Sequence, residues 1–292
     1  MEKKTCMQPD PNPKLPGLSL PEMACDAHCH VFGPKAEFPY HENSTYEPPD
    51  AGKMTLKALH DFLGFSRAVI VQASCHGPDN RAMLDAIKWR GDQFWRGVCI
   101  ANKSFTEKDF EALHEGGVRG VRFNFVKHLG GAPDLEGMKM VLEKVKVFNW
   151  HLVIHVNAED IIKYEDFFKP FKDLVIIVDH MGRVPTNLGV DQPAFKILLD
   201  FMQRDNWWVK ISGAERISTG GPPFYDAVPY AQKLIKTAPD RILWGTDFPH
   251  PNIKEHMPND GHLVDLLGLF CNDESLLKKI LVDNPNRLYW ND

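Results

Sequence analysis

The chain has 292 residues, 43% hydrophobic and 25% charged, an ordinary globular balance that speaks against a disordered or fibrous protein. Its formal net charge is −5 with no long Lys/Arg run, which argues against a general nucleic-acid surface but not against small anions held by local arginines. No stretch approaches the ~18 apolar residues that span a bilayer, and the proline-rich start lacks the apolar core of a signal peptide.

In chain order, residues 1–21 read as a polar, proline-rich arm, and a single domain is expected over 22–292. Eight β-rich runs follow, at 23–32, 67–74, 95–102, 118–126, 151–157, 174–182, 207–215 and 241–251. Most are continuously apolar in their first half, as strands buried on both faces are. Helical patterns alternate with them at 54–65, 79–90, 106–117, 135–148, 192–204 and 227–238, then near 264–270 and 274–289. Thr106 and Asp109 mark a helix start, and Gly116-Gly117 a stop. Eight strands alternating with helices, in a chain near the ~250 residues typical of the fold, predict a TIM-like (β/α)8 barrel. The competing architecture, an open doubly wound sheet, lacks a GxGxxG fingerprint in its first unit. The six cysteines form no CxxC pair and suit a reducing cytosol, so a cytoplasmic protein is expected.

In a barrel the chemistry sits at the C-terminal ends of the strands. There the first run carries His28 and His30, the second Ser74 and His76, the fourth Arg122 with His128 just beyond, and the fifth His155. The sixth carries Asp179, His180 and Arg183, the seventh Glu215 and Arg216, and the eighth Asp247 and His250. Residues i and i+2 of a strand share a face, so His28 and His30 can both point into the barrel mouth while Cys29 faces the helices. Two imidazoles so placed, with His155, His180 and Asp247 from distant strands, suit one divalent ion, Zn²⁺ or Mn²⁺. Asp247 could serve as ligand and general base together. Asp179, alternating with His180, is expected to face outward. Arg122, Arg183 and Arg216 suit planar acidic groups. The segment 38–50 reads as a long loop able to cover part of the mouth.

The stretches DAHCHVFGP (26–34), VIVQASCHG (69–77), LHEGGVRGVRFNF (113–125), VDHMGR (178–183), WGTDFPHPN (244–252) and NPNRLYW (284–290) resemble the amidohydrolase superfamily. Within it they are most similar to the 2-pyrone-4,6-dicarboxylate lactonase group, over almost the whole chain. The resemblance implies hydrolysis of an acidic lactone from aromatic catabolism, with Asp247 activating water. It implies substrate contacts from Arg122, Arg183, Arg216, Tyr46, Ser74 and His76. The pyrone lactonases carry tyrosine at the position of His155 and work without a metal, whereas the strand-five histidine belongs to the wider superfamily. Their second arginine after the fourth strand aligns with His128, which is taken here as a further substrate contact. A metal-assisted lactonase is therefore expected, acting on 4-sulfomuconolactone or 2-pyrone-4,6-dicarboxylate, with a metal-free enzyme left open. A metal-dependent, non-oxidative decarboxylase of an aromatic or muconate-type acid is the alternative. The expected partner is a small anionic lactone, with no nucleic acid or membrane, and a homo-oligomer is allowed.

Overall fold

The computed structural model describes residues 4–126, 134–253 and 255–291. Its eight barrel strands are Cys25–Cys29, Arg67–Val71, Trp95–Cys99, Val118–Asn124, His151–His155, Ile176–Val178, Trp207–Lys210 and Ile242–Leu243. All pair in parallel in sequence order, giving the expected (β/α)8 barrel. The ring closes by backbone bonds rather than a regular ladder. Ala27 N–H donates to the Trp244 carbonyl at 2.9 Å, and Asp247 N–H to that of His28 at 2.8 Å. His30 N–H completes the seam by donating to Phe248 at 2.8 Å.

Two apolar clusters follow from the alternation of strand side chains. The larger packs outward-facing Ile70, Val121, Ile154 and Val178 against helix residues such as Leu56, Met83, Phe110, Leu142 and Phe195. The smaller lies inside the barrel and joins Cys25, Ala27, Val69, Val71, Val98, Val153, Ile177, Trp208 and Leu243 to Tyr289 from the last helix, Asn284–Tyr289. Each fully buried Leu, Ile or Phe contributes about 1.5–3 kcal/mol, so these layers carry the fold and leave the strand ends free for polar groups.

The first strand is irregular where it matters. Against the second strand, Asp26 pairs with Ala68 but Cys29 pairs with Ile70, so the first strand carries one extra residue. Cys25 and Ala27 face the barrel interior, and strict alternation from them would turn His28 and His30 outward. The bulge flips the parity and brings both histidines in.

Strand ends differ from the sequence expectation. The sixth, seventh and eighth strands stop at Val178, Lys210 and Leu243, and a short helix, Ala214–Ile217, takes up the rest of the seventh run. Beyond these ends His180, Met181, Arg183, Asp247 and His250 adopt left-handed φ values of 50° to 64°. Extended pairing cannot continue through such residues, and backbone strain of this kind collects at functional sites. The helix Glu107–Glu115 starts at the capping box of Thr106 and Asp109, as expected. The N-terminal arm lies on the domain. Lys4–Thr5 pairs in parallel with Tyr46–Glu47 of the long loop, and Asp265 accepts from Lys14 Nζ at 2.5 Å and Gly17 N–H at 2.6 Å.

Candidate active site

A cavity of about 470 Å³ opens at the C-terminal end of the barrel. Its wall includes His30, Tyr46, Ser74, Arg122, His155, His180, Arg183, Arg216 and Asp247, together with Thr45, Pro251 and Asn252. Tyr46 Oη and Ser74 Oγ lie 3.1 Å apart. The loop expected to cover part of the mouth thus does contribute wall residues.

At the floor three imidazoles converge on one carboxylate oxygen. Asp247 Oδ1 lies 3.1 Å from His30 Nε2, 3.5 Å from His28 Nε2 and 3.8 Å from His180 Nε2. His30 Nδ1 sits 2.7 Å from the Val71 carbonyl, which can only accept, so Nδ1 donates there. Its Nε2 is left turned on Asp247 Oδ1, a nitrogen and a carboxylate oxygen meeting at the same point as the other two rings. His28 Nε2, fully buried, has no hydrogen-bond partner among the described residues. Burial pushes His28 down to about 3, and burial likewise holds His180 well below the usual histidine range, so both are neutral ligands in waiting. The ligand atoms of His28, His180 and Asp247 all lie within 4.8 Å of one another. Imidazole nitrogens with one carboxylate fit a divalent ion such as zinc, with His30 alongside.

The other oxygen of Asp247 belongs to Arg216. Its Nε and Nη2 donate to Oδ2 at 2.9 and 2.6 Å, and its Nη1 donates to the Pro251 carbonyl at 2.7 Å. Burial raises the Asp247 carboxyl, but Arg216 and then His180 hold it well below the usual carboxylate range. Gly213 makes room for this group, because a Cβ there, at φ +70°, would stand 2.7 Å from His180 Nδ1.

Arg216 lines the cavity and gives three of its five N–H groups to Asp247 and Pro251, so it orients the carboxylate and keeps two N–H groups for a substrate. Three expectations need correction. His155 stands apart from the tight ligand set. Its Nε2 faces Arg183 Nη1 at 3.5 Å, and its ring centre is 5.5 Å from that of His180. His76 does not line the cavity, since its Nε2 accepts from Gly33 N–H at 3.3 Å and its ring packs on Tyr40. Asp179 is not outward-facing. It is fully buried inside the barrel, following Ile177 in parity, and accepts from Arg122 Nε at 2.8 Å. His180 also points inward because the chain leaves extended geometry after Asp179.

His128 lies outside the described residues. Arg183 remains the free cation of the wall: among the described residues no carboxylate lies within ion-pair distance of it, and burial lowers it from the ordinary arginine value. Sequence reasoning missed Lys210, fully buried beside Asp179 and His28. The signal was a lysine at inward parity, two residues after Trp208 in an apolar strand, where a charge must find a partner.

Comparison with known proteins shows which family the chain resembles over its length. A family model described as amidohydrolase matches residues 25–290. The 2-pyrone-4,6-dicarboxylate hydrolase of Comamonas testosteroni is 46% identical over 288 residues, 96% of this chain and 94% of that protein. The 4-sulfomuconolactone hydrolase of Rhizobium radiobacter is 40% identical over 275 residues, covering 93% and 91%. The apo crystal structure of Agrobacterium tumefaciens ATU3138 is 27% identical, superposes with a TM-score of 0.83 and covers 95% of this chain and 99% of that one.

Proposed function

The chain belongs to the amidohydrolase family, and we propose that it is a lactonase that opens a cyclic ester bearing acidic groups, of the 4-sulfomuconolactone or 2-pyrone-4,6-dicarboxylate kind. One observation carries the reading: Asp247 Oδ1, met by the ring nitrogens of His28, His30 and His180, shares a cavity with the Arg183 guanidinium, which has no carboxylate partner among the described residues. That combination can hold an acidic substrate and deprotonate water beside it.

In this reading His28, His180 and Asp247, with His30, hold one divalent ion, zinc by the chemistry of the donor set. When bound, the ion supplies Lewis-acid polarisation of the ester carbonyl and a lower pKa for water. Arg183 takes an acidic group of the substrate through paired charged hydrogen bonds, with Arg122 offering its Nη atoms from the same wall. Tyr46 and Ser74 close the side of the pocket with hydroxyls that can meet a carbonyl or carboxylate. Asp247 Oδ1 accepts the proton of the attacking water, and the same carboxyl returns it to the ring oxygen as the C–O bond breaks. Arg216 keeps Oδ1 turned toward the site by holding Oδ2. His155 Nε2, neutral and beside Arg183, lies where it can contact the substrate carbonyl or steer the arginine.

The test is a panel of acidic lactones, including pyrone dicarboxylate and muconolactone derivatives, assayed with and without added Zn²⁺ or Mn²⁺. Product mass decides: gain of one water supports the lactonase, and loss of carbon dioxide replaces it with a decarboxylase. We also assign the protein to the cytoplasm, because all six cysteines are free thiols, five of them buried. Among the described residues no helix is long and apolar enough to cross a membrane. Cell fractionation checks this, and recovery outside the cytoplasmic fraction would overturn it.

A further inference from the structure

Lys210 ends the seventh strand with its whole side chain inside the barrel, behind His28 and out of contact with the cavity. A buried ammonium is costly unless paired, and this one has two neighbours. Its Nζ stands 3.0 Å from His28 Nδ1 and 3.3 Å from Asp179 Oδ1. Asp179 Oδ1 in turn lies 3.2 Å from the same His28 Nδ1. Lysine and aspartate therefore compete for one ring nitrogen.

The competition has chemical consequences because a neutral imidazole carries a single N–H. If Nδ1 accepts from Lys210, the proton sits on Nε2 and points toward Asp247 Oδ1, 3.5 Å away. No lone pair then faces the site. If Nδ1–H instead donates to Asp179, the Nε2 lone pair is free to bind a cation. The geometry favours the first state. Lys210 Nζ is the nearer partner of Nδ1, at 3.0 Å against 3.2 Å for Asp179 Oδ1, and an ammonium can only donate.

We propose that Lys210 is a positioning residue that fixes which ring nitrogen of His28 carries the proton, and thereby limits how tightly the site holds a divalent ion. The second half rests on the reading of His28, His180 and Asp247 as a cation site. Loading the ion requires Lys210 Nζ to leave Nδ1 for Asp179 and the His28 proton to move from Nε2 to Nδ1. No proton is gained or lost overall. Arg122, bonded to Asp179 Oδ2, keeps the aspartate in place through the exchange. Partners of the non-ligating nitrogen of a metal-bound histidine commonly change metal affinity about 10- to 100-fold. Here the partner is a donor where an acceptor would favour binding.

The experiment joins imidazole ¹⁵N spectra of metal-stripped protein to Zn²⁺ affinity measured against a competing chelator. Wild type is expected to show His28 as the Nε2–H tautomer. Lys210→Met should move the proton to Nδ1 and bind Zn²⁺ about tenfold more tightly or better. Lys210→Arg, which retains a donor, should restore the wild-type tautomer. Removing a positive charge would by itself tighten cation binding, so a gain in affinity with an unmoved proton overturns the proposal. An Nδ1–H tautomer in the wild type overturns it too, and that spectrum decides the matter even if Lys210→Met fails to fold. A wild type that takes up no Zn²⁺, while its tautomer behaves as stated, supports the assignment to Lys210 and sinks the metal reading alone.

Discussion

Asp26 and Asp247 are both almost fully buried, and they lie near each other where the first and eighth strands meet. Their surroundings are opposite. Asp26 Oδ1 accepts from the backbone N–H groups of His28 at 3.1 Å and Thr246 at 3.0 Å. Its Oδ2 accepts from Thr246 Oγ1 at 2.6 Å and lies 3.1 Å from His60 Nε2. Every partner can donate, so Asp26 ties the bulge to the eighth strand and to the helix Lys53–Leu63. Gly245 permits the tie, because a Cβ there would stand 2.3 Å from His28 N. Asp247 is satisfied on one oxygen by Arg216 and crowded on the other by the Nε2 atoms of three imidazoles. A buried carboxylate with matched backbone and hydroxyl donors is structure; one that gathers several imidazoles around a single oxygen marks a site for a cation, a proton or a substrate.

The contrast can be broken from either side. Asp247→Asn is expected to lower kcat/KM by about 10³-fold in protein that still folds, since general-base catalysis is worth roughly that much. A large loss of stability with activity retained would reverse the roles of the two aspartates. Asp26→Asn should do the opposite, costing about 2–4 kcal/mol in denaturant unfolding by placing an amide N–H₂ against groups that need an acceptor. Folded Asp26→Asn protein should still turn over substrate.

A third measurement sharpens the comparison by using a buried charge that is matched. His250 lies between Asp260 Oδ1 at 3.1 Å and Glu215 Oε1 at 3.7 Å. Burial opposes its protonation, but Asp260 and then Glu215 raise it from 6.5 to about 10. A histidine raised in the fold stabilises fully below its unfolded value, and that contribution fades as pH climbs toward the folded value. Wild type should therefore lose on the order of 2 kcal/mol more than His250→Gln between about pH 7 and pH 9. Equal pH slopes for the two proteins would show that the imidazolium is not there. The smallest effect is expected at the wall. Arg183→Gln should raise KM for an acidic lactone about tenfold with little change in kcat, the worth of one charged hydrogen bond. An unchanged KM would mean that the acidic group binds elsewhere.

Much of this was legible in the sequence, because the barrel follows from a count of apolar runs and the convergence of His28, His30, His180 and Asp247 from the ends of those runs. What could not be read was where regular geometry breaks. The reading that His28 and His30 share a face was right, but a one-residue bulge is what turns that face inward, and a strand pattern carries no mark of it. Asp179 was misplaced because parity was counted back from His180, a residue that has already left the strand. That Arg216 also holds Asp247 could not be read, because a guanidinium beside a pocket is indistinguishable, in sequence, from one bonded to a carboxylate. Lys210 was open to discovery, since a lysine within an apolar strand is its own warning.

The most direct test of the central claim is a metal titration of chelator-stripped protein, with acidic-lactone hydrolysis and bound ion measured on the same samples. Activity that rises in proportion to Zn²⁺ or Mn²⁺ and saturates at about one ion per chain is the predicted result, with His28→Ala and His180→Ala abolishing the uptake. Full hydrolytic activity in protein shown by elemental analysis to hold no metal would contradict it.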